Sequence, residues 1–436
     1  MKKIRTVFCG CGHRAFGTGG SVMTIDAYET VGVCDPYEDK AVSLADEFEK
    51  KTGKRPAVYT DHIKMFEELK PDLAVVVANW EVHVAISIDA MRRKIAVAME
   101  VGGAYDEEEC FELVKVYEET KTPFMFLENC CFNRDELLAT ALVRNGVFGR
   151  ILYCTGAYGH DLRQEISYGD KNRHYRLRNY MHRNCENYPT HEIGPIAKIL
   201  NINRGNRFVS LITRSTGLPS QGLHEYVQDK EGLEYLKDVE FKQADIVETM
   251  ITCENGELVT IRLDTTLPRI YSRELEVRGT KGMYNQNNNM VFLDTPKFDH
   301  HTNKFTQEDG TVVSGMAEGK AHNYFYDNAK KYEDAYLVDM WKKVTPEILE
   351  QGHGGMDYFE FEVLADCLVN GKEMPVDVYD AVAWMSITYL SERSLKTGMP
   401  VDVPDFTHGL YKTRAPKDVV DIPMPNIDPK AINMGK

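Results

Sequence analysis

The chain has 436 residues, of which 43% are hydrophobic and 27% charged, and its formal net charge at pH 7 is −15. This length exceeds one ordinary core, so we expect two domains, and the composition is that of a soluble globular protein. The negative charge argues against nucleic acid or an anionic membrane as the main partner. We identify neither a segment with the hydropathy of a transmembrane span nor the apolar stretch of a signal peptide.

Ten cysteines are spread along the chain, and none forms a C-x-x-C pair. We therefore predict buried free thiols rather than disulfides or a zinc site, as expected in a reducing compartment, and a cytoplasmic location. His300, His301 and His322 have no carboxylate or cysteine at metal-ligand spacing, so we predict no metal there.

The first predicted strand, residues 4–9, leads into a glycine-rich turn and then a helical pattern. The turn follows G-x-G-x-x-A, with Gly10 and Gly12 as its glycines and His13 and Arg14 directly after them. Glycines allow such a turn to close and let backbone N–H groups approach a pyrophosphate at the helix N-terminus. Alone, the turn is weak evidence, because many glycine loops are only tight turns.

A second β-prone run, residues 31–34, ends in Asp35, which lies 25 positions after Gly10. A carboxylate at this point can accept hydrogen bonds from both hydroxyls of a ribose and would repel a 2′-phosphate. Together, the strand, glycine turn, helix and acid predict a dinucleotide-binding domain that uses NAD rather than NADP.

Three further apolar strands, residues 73–77, 95–99 and 124–127, alternate with helical patterns such as residues 106–119. Fully apolar strands are typical of a parallel sheet covered on both faces. Candidate ligand-binding residues, all but Val101 polar or aromatic, follow these strands, at the edge where open α/β sheets bind ligands. They are Asn79, Trp80, His83, Glu100, Val101, Glu128 and Asn129. We predict an α/β Rossmann domain, a doubly wound parallel sheet, over residues 1–150.

The strand–helix alternation stops after residue 150, and a strand-rich region begins. Strands are predicted at residues 151–158, 209–213, 245–253, 258–265 and 274–278, a hairpin-like turn at 279–282, and two helices within 357–396. We predict an α+β domain over residues 151–436, with an open, mostly antiparallel sheet and helices on one face. Residues 298–350 are polar and mixed in pattern, and we predict an insertion or covering subdomain there.

One helix of the second domain is predicted to begin near His191. Apolar residues recur at i, i+3, i+4 and i+7 over residues 193–200, which is the pattern of one buried face, and Gly205 suits the left-handed cap. Tyr188 and His191 are three positions apart and would share one side of the first turn. A phenol beside an imidazole can handle protons. From these residues alone, a packed tyrosine and a satisfied histidine remain the alternative.

With its glycine turn, Asp35 and two-domain plan, the chain resembles the Gfo/Idh/MocA oxidoreductase superfamily. That superfamily has an N-terminal Rossmann domain and a C-terminal open sheet, with NAD(P) between them. Its usual Glu-Lys-Pro is Glu100-Val101-Gly102 here, so the usual active-site lysine is absent. Its usual Asp four positions before the catalytic His is Asn187, while His191 matches the His. These departures indicate a reaction other than ordinary polyol dehydrogenation. Because the superfamily often packs its open sheet against another subunit, the resemblance implies a homo-oligomer.

More specific segments are similar to glycoside hydrolase family 109, the NAD-dependent α-N-acetylgalactosaminidase branch. They are residues 127–130, 156–163, 176–178, 187–191, 201–205, 264–268, 271–273 and 352–357. After the His, family members tend to have Gly-Leu-Gly-Pro, where this chain has Glu192 and then Ile193-Gly194-Pro195. Glu192 is expected to add a charge close to the site, which leaves the natural sugar open.

The resemblance implies a site between the two domains that holds a small-molecule glycoside and NAD. The sugar would contact Tyr158, Tyr188, His191 and Tyr271, with His160, Arg176 and His353 lining the site. The cofactor would contact Gly10, Gly12, His13, Arg14, Asp35, Asn79, Trp80, His83, Glu100, Val101, Asn129, Arg176 and Tyr188. Trp80 could equally be a packed aromatic, and His353 an incidental residue of a glycine turn.

The resemblance also implies a chemistry. Hydride transfer from sugar C3 to NAD⁺ leaves a ketone at C3, which acidifies the proton on C2. A base then removes that proton and the aglycone leaves C1. Water adds back and the hydride returns to C3, so no net oxidation occurs. This cycle needs several acid/base groups rather than two flanking carboxylates. We expect His191 to act on the C3 hydroxyl and Tyr188 or Tyr158 on C2, with Arg176 lowering the tyrosine pKa. Glu128 either assists leaving-group protonation or caps the helix that follows its strand.

Two other functions fit the same motifs. The first is an NAD-dependent sugar 3-dehydrogenase or epimerase that releases the reduced cofactor or the keto-sugar, with net redox turnover. The second is a non-catalytic NAD-sensing protein on the same fold. The occurrence of proton-handling residues in several separate motifs speaks against the sensor.

Overall fold

Two large β-sheets organise the chain. The computed structural model describes residues 3–295, 297–299, 301–302, 304–306, 310–314 and 325–432. His300 and His322 lie outside the described residues. The first sheet has six strands and belongs to the N-terminal region, and the second has eight strands. A third, small sheet of three strands accompanies them.

The N-terminal sheet is parallel throughout, with strand order β3-β2-β1-β4-β5-β6. Its strands are β1 (Ile4–Cys9), β2 (Tyr28–Cys34), β3 (Ala57–Tyr59), β4 (Leu73–Val76), β5 (Ala96–Glu100) and β6 (Phe124–Leu127). Its helices are α1 (His13–Thr24), α2 (Glu38–Thr52), α3 (His62–Leu69), α4 (His83–Arg92) and α5 (Glu107–Thr120). The strand order reverses at β1, which lies between β2 and β4, and this is where open α/β sheets bind ligands. The predicted doubly wound sheet is confirmed.

The edge strand of this sheet, β3, was not predicted from the sequence. It has only three residues, and its side chains are half-buried or exposed. Strand prediction relies on apolar or alternating runs of four or more residues, so a short, exposed edge strand gives little signal. By contrast, β4 and β6 are buried along their whole length, as the predicted apolar runs require.

The C-terminal sheet has strand order β13-β12-β11-β7-β10-β9-β8-β17. Its strands are β7 (Ile151–Gly159), β8 (Phe208–Ser215), β9 (Ile246–Cys253), β10 (Leu258–Asp264), β11 (Glu276–Gly279), β12 (Gly282–Asn285), β13 (Met290–Leu293) and β17 (Val401–Asp402). All neighbours pair antiparallel except β7 and β10, which are parallel. Along β9 every second residue is buried, which reflects one packed and one open face. The predicted mostly antiparallel sheet and its β11–β12 hairpin are confirmed.

Several helices lie between and after these strands in the chain, and those over residues 190–199 and 378–397 pack on β7 and β8. They include α6 (Arg134–Arg144), α7 (Arg163–Ser167), α8 (Arg176–His182), α9 (Thr190–Ile199) and α10 (Gln221–Gln228). Later helices are Lys330–Tyr336, Asp339–Lys342, Pro346–Leu349, Met356–Asn370, Val378–Thr397 and Pro429–Ile432. Short 3-10 helices are Asn129–Phe132, Glu234–Leu236, Gly352–Gly355 and Leu410–Lys412.

Helix α9 differs from its prediction in two respects. All ten of its residues are buried, not only the face at i, i+3, i+4 and i+7, because β7, the Asn129–Phe132 turn and the Val378–Thr397 helix surround it. It also ends at Ile199, before Gly205, and the chain leaves through Asn201 in the left-handed region, with φ of 54°. A helix enclosed on every side cannot be recognised from one apolar stripe.

Residues 298–350 contain the small third sheet. Its strands are β14 (Phe298–Asp299), β15 (Lys304–Thr306) and β16 (Val312–Ser314). Phe305 and Phe325 form a separate apolar cluster there, distinct from the main core. The insertion and the domain limits 1–150 and 151–436 stay predictions.

The two long C-terminal helices join the second domain to the Rossmann sheet. Met356–Asn370 packs on α1, and the Tyr28 hydroxyl donates to the Phe361 carbonyl at 2.6 Å. Val378–Thr397 packs on α5 and β6, and it starts with a capping box between Asp377 and Asp380. Together these contacts set the C-terminal edge of the Rossmann sheet opposite β7 and α9.

All ten cysteines are buried free thiols, as predicted. Within the described ranges, no helix combines the length and apolar character needed to cross a membrane.

Candidate active site

Side chains from both domains meet where the Rossmann strands end. Trp80 follows β4 and Glu128 follows β6, while Tyr158 lies near the end of β7. Tyr188 and His191 come from the start of α9. The structure therefore assembles the predicted catalytic residues Glu128, Tyr158, Tyr188 and His191 from three separate elements, with Trp80 beside them from a fourth.

Stacked aromatic rings form one wall of this site. The rings of Trp80 and Tyr188 are 5.3 Å apart and 21° from parallel, and Tyr158 lies 4.7 Å beyond Tyr188. The indole N–H of Trp80 donates to the Val101 carbonyl at 3.2 Å. The Arg176 guanidinium carbon is 5.3 Å from the Trp80 ring centroid and 5.0 Å from that of Tyr188. Trp80 thus packs between the domains in contact with predicted sugar-binding residues.

His191 is held by a buried carboxylate. Its Nδ1 lies 2.7 Å from Oε1 of Glu128, which also accepts the Cys130 N–H at 3.0 Å. Burial raises the pKa of Glu128, but the charge and hydrogen bond of His191 outweigh it, so the pKa is lowered overall. An ionised Glu128 accepts the proton on Nδ1, which leaves the Nε2 lone pair available as a base. Glu128 therefore both caps the following turn and orients His191.

The tyrosines differ from the expected ionisation. Burial raises the pKa of Tyr158 to about 12, although Arg176 acts in the opposite direction. Burial, with neighbouring groups such as Tyr158, raises the pKa of Tyr188 well above its usual range. The predicted lowering by Arg176 is therefore wrong as a net effect, because the loss of hydration exceeds the cation's attraction. Both phenols are protonated at neutral pH.

Tyr158 has a second proton-handling neighbour in His160. The Tyr158 hydroxyl lies 3.2 Å from Nδ1 of His160. Burial and then Arg176 lower the pKa of His160, so its imidazole is neutral and can accept that proton. His160 is therefore a second base, distinct from His191, that can take the proton of the Tyr158 phenol.

Tyr271 closes the cluster on its open side. Its ring lies 5.1 Å from His160 and 6.4 Å from Tyr158, and the residue is 47% exposed. Arg273 donates to the Tyr271 hydroxyl at 3.2 Å and to Glu136 at 2.6 Å. The sequence analysis named neither Arg273 nor Glu136 as part of the site.

The glycine turn has the geometry of a dinucleotide cradle. Gly10 has φ of +95°, and a Cβ there would lie 2.6 Å from the Ala78 nitrogen, so only glycine fits. Gly12 faces open space and begins α1 without a side-chain cap, which leaves the helix N–H groups free for an anion. Asp35 accepts the Cys11 N–H at 2.8 Å, and its oxygens keep further lone pairs for ribose hydroxyls. His13 is exposed at the start of α1.

Arg14 is the centre of a buried ionic cluster between the domains. Its Nε donates to Glu100 at 2.7 Å, and its Nη atoms donate to Asp357. Asn129 donates to Asp357 at 2.7 Å, and His353 Nδ1 lies 3.1 Å from both Asp357 and Arg14. Burial raises the Asp357 pKa, but Arg14 and His353 outweigh it and hold that pKa far below its usual range. His353, predicted to contact the sugar, is thus anchored in the Arg14 cluster, and Asp357, although it ends a motif of the family resemblance, was not predicted as a site residue.

The segment after β5 explains a departure from the family pattern. A Cβ at Gly102 would lie 2.4 Å from Trp80 and 2.8 Å from His83, so this position has no room for proline or alanine. Burial lowers the pKa of His83 to about 4, which makes it a neutral packing residue beside Trp80. Oδ1 of Asn79 is buried without a partner among the described residues, so it can accept a hydrogen bond from a ligand's hydroxyl.

Glu192 does not place a charge beside His191. Glu192 is only 2% exposed. A Cβ added to Gly156 of β7 would lie 2.9 Å from the Cβ of Glu192, so the two residues pack closely together. Burial and then Glu186 raise the pKa of Glu192 well above its usual range, so the side chain is a neutral acid packed beneath α9. The expectation that it charges the site is wrong, because sequence adjacency to His191 does not give the direction of the side chain.

Glu128, Cys130 and His191 each offer one metal-ligand atom within 4.8 Å of the others. However, Glu128 and His191 already share a hydrogen bond, and burial raises the pKa of the Cys130 thiol well above its usual range. A protonated thiol is a poor ligand, so we assign no metal here. His301 is exposed, and its backbone N–H donates to Asp299 at 2.9 Å.

Two family models match this chain, one over the region of the first large sheet and one over the region of the second. The model of the oxidoreductase family with an NAD-binding Rossmann fold matches residues 4–127. The model of the glycosyl hydrolase 109 C-terminal domain matches residues 132–413. The second match covers most of the strands and helices that carry the site.

Individual relatives agree with both models. The chain is 34% identical to a glycosyl hydrolase family 109 protein of Parabacteroides distasonis, over 95% of this chain and 89% of that protein. It is 33% identical to an alpha-N-acetylgalactosaminidase of Tannerella forsythia, over 95% of this chain and 88% of that protein. Among solved structures, myo-inositol 2-dehydrogenase from Lactobacillus plantarum has a TM-score of 0.62 at 17% identity, over 92% of this chain and 100% of that one. An Agrobacterium radiobacter oxidoreductase in complex with NAD⁺, L-tartaric acid and magnesium has a TM-score of 0.63 at 13% identity, over 92% and 99%. These two structural likenesses establish the shared fold.

Proposed function

The chain belongs to glycosyl hydrolase family 109 and has a Gfo/Idh/MocA-type NAD-binding domain; from this we propose that it hydrolyses glycosides with a retained NAD. The substrates are N-acetylgalactosaminides or related hexosides, in line with the name of the Tannerella forsythia relative. Bound NAD would supply reversible hydride acceptance at the sugar's C3. The protein supplies binding, orientation and proton transfer.

One observation carries the proposal: His191, fixed by Glu128 through Nδ1, lies at the aromatic wall that Tyr188 and Tyr158 form with Trp80. Its ring is 4.8 Å from that of Tyr188 and 5.4 Å from that of Tyr158. A sugar bound against this wall would have the His191 imidazole, as a general base, and the phenols of Tyr188 and Tyr158 around its ring. His191 Nε2 takes the proton of the C3 hydroxyl, and it returns that proton at the end of the cycle.

Of the two phenols, Tyr158 is the better base for the C2 proton. Its pKa of about 12 is raised less than that of Tyr188, and Arg176 opposes the increase. His160 can accept the Tyr158 proton across 3.2 Å. Tyr188 is instead sandwiched between Trp80 and Tyr158, which suits a packing role against the sugar. We assign C2 deprotonation to the Tyr158–His160 pair.

A residue other than Glu128 is needed to protonate the leaving group. The Glu128 side chain is fully buried, and its Oε1 accepts from both His191 and Cys130. His353 is half-exposed, and its Nδ1 lies 3.1 Å from Asp357, to which a protonated Nδ1 can donate. Its Nε2 makes no hydrogen bond to the described residues and can donate a proton to a leaving-group oxygen. We therefore assign leaving-group protonation to His353 and the positioning of His191 to Glu128.

A sugar 3-dehydrogenase with net redox turnover is the second candidate. The dehydrogenase fold of the structural relatives favours it. Against it, position 101 is valine, so the lysine usual in those dehydrogenases is absent. The two candidates share the first hydride step and differ in whether the aglycone leaves and the cofactor is restored.

A single incubation separates these candidates. Purified protein is mixed with nitrophenyl α- and β-N-acetylgalactosaminides in D₂O without added NAD. Retained-cofactor hydrolysis predicts nitrophenol release, deuterium at C2 and no accumulation of NADH. Stoichiometric NADH without nitrophenol would instead establish the dehydrogenase, and NAD binding with neither product would favour the sensor.

A further inference from the structure

Residues 170–178, which we call the cover segment, belong to the second domain but contact the Rossmann domain along its C-terminal edge. At one end, Arg173 donates to both carboxylate oxygens of Asp39, at 3.0 and 2.6 Å. Its guanidinium carbon also lies 4.5 Å from the ring centroid of Tyr37. Lys40 approaches the backbone carbonyls of Asn172 and Arg173 at 3.4 Å. This end therefore rests on the start of α2, directly after Asp35.

The other end of the cover segment rests on the residues that follow β4. Arg178 donates to both carboxylate oxygens of Glu81, at 3.0 and 2.6 Å. Between the two ends, the Arg176 guanidinium carbon lies 5.3 Å from the Trp80 ring. The cover segment is thus attached at two points on either side of the Gly10–Gly12 turn.

These two points lie on the path that a dinucleotide must take. Strands β2 and β4 flank β1, whose glycine turn is the pyrophosphate site. A ribose at Asp35 lies beyond β2, and the end that faces the sugar lies near Trp80, beyond β4. A cofactor that spans these positions runs beneath the whole cover segment.

We propose that the cover segment is the outer wall of the cofactor site and that Arg173 retains NAD between turnovers. This inference rests on the proposed function, because only a recycled cofactor has to remain bound through the whole cycle. It assigns cofactor retention to Arg173, Asp39 and Tyr37, which lie outside the glycine turn and the sugar site.

The contacts that hold the cover segment are weak enough for the segment to move aside when NAD binds. The Arg173 side chain is 36% exposed and that of Asp39 is 68% exposed, so each ion pair is individually weak and is screened by salt. Stacking on Tyr37 adds a further weak attraction. Several weak contacts can slow NAD release without making cofactor loading irreversible.

The test is the dissociation rate of radiolabelled NAD from the full-length protein, chased with excess unlabelled NAD. Arg173→Ala is expected to release NAD about three- to tenfold faster, because it removes both the paired carboxylate contact and the stacking on Tyr37. Raising NaCl from about 0.05 M to about 0.5 M should accelerate release from the wild type more than from Arg173→Ala. Asp39→Ala combined with Arg173→Ala should add little to the single change, because both remove the same contact.

The matched control is Arg92→Ala. Arg92 pairs with Glu112 at 2.7 Å and is 54% exposed, but it ends α4 at the opposite edge of the sheet. Its NAD release should equal that of the wild type. An unchanged release rate in Arg173→Ala, with nitrophenol release intact, would overturn this inference alone. A protein that binds no NAD would overturn both this inference and the proposed function.

Discussion

The carboxylate of Glu128 and Nδ1 of His191 are 2.7 Å apart, although the two residues are 63 positions apart in the chain and come from different domains. Glu128 directly follows the last strand of the Rossmann sheet, and His191 lies in the first turn of the buried helix of the second domain. The pair therefore forms only when the two domains pack together. It links the orientation of His191, the proposed base, to the packing between the two domains.

Glu128→Gln tests this link directly. An amide at position 128 is not a charged acceptor and can hold His191 in the wrong tautomer, so we expect kcat to fall about 10- to 100-fold. KM for the glycoside and the NAD content should change little, because the fold and the stacked wall remain. Glu128→Asp, which keeps the charge, should recover part of the activity. Equal activity in Glu128→Gln and the wild type would exclude a positioning role.

Tyr158→Phe and Tyr188→Phe distinguish the two phenols. If Tyr158 is the C2 base, Tyr158→Phe should lower deuterium incorporation at C2 by about 10²- to 10⁴-fold, while Tyr188→Phe mainly raises KM. Because the Tyr158 pKa is about 12, its ionised fraction rises with each pH unit over the working range. C2 exchange should therefore increase with pH in the wild type and lose this dependence in Tyr158→Phe. The reverse pattern would assign the base to Tyr188.

Local sequence signals predicted the Rossmann fold of the first domain well. Gly10, Gly12 and Asp35 lie within one strand–helix–strand unit, so their spacing alone fixes their relation. Contacts between distant residues were missed or misread. Arg14 and Asp357 are 343 positions apart, and Arg273 and Glu136 are 137 apart. No spacing rule brings such pairs together, because the packing of whole domains does.

The direction in which a side chain points was a second property that could not be predicted from the sequence. Glu192 follows His191 directly, yet it is buried against Gly156 of β7 and its raised pKa keeps it neutral. Residue type and sequence neighbourhood suggested a charge beside His191, and tertiary packing decided the contact.

Glu192→Gln tests the buried neutral acid. A carboxyl whose pKa is raised on folding contributes its full stability below the pKa of the unfolded chain and loses it as pH rises toward the folded pKa. Replacing Glu192 should therefore stabilise the protein more at pH 8 than at pH 5, by about 1–3 kcal/mol, in urea unfolding. Exposed Glu119→Gln is the control and should change stability at neither pH. A Glu192→Gln variant with the wild-type pH profile would show that Glu192 does not titrate in this range.

Gly102→Ala tests the packing of Trp80. The added Cβ would lie 2.4 Å from the indole, which is already packed against Tyr188 and Tyr175. We expect a loss of about 1–3 kcal/mol in unfolding free energy and weaker NAD binding, because the indole must move. Gly217→Ala is the control, since a Cβ at Gly217 has nothing within 4 Å. A Gly102→Ala protein with unchanged thermal stability and NAD content would mean that the stack tolerates this movement.

His353→Ala separates leaving-group protonation from the other proton transfers. An acid is needed when the aglycone is a poor leaving group, and much less when it departs as a stabilised nitrophenolate. We therefore expect activity on a methyl or serine-linked glycoside to fall about 10²- to 10⁴-fold, while nitrophenyl glycoside hydrolysis falls far less. C2 deuterium exchange, which precedes aglycone loss, should persist.

The Asp357→Asn variant provides the companion measurement for His353. Asp357 is fully buried, and it accepts from Arg14 and Asn129 and contacts His353 Nδ1. Removing its charge leaves Arg14 paired with Glu100 alone, so we expect lower stability by about 3–5 kcal/mol as well as the same preference for nitrophenyl substrates. His353→Ala, with a half-exposed side chain, should show the substrate preference without that loss of stability. If both substrates instead lose activity equally in His353→Ala, His353 acts before aglycone departure, and leaving-group protonation belongs to another residue.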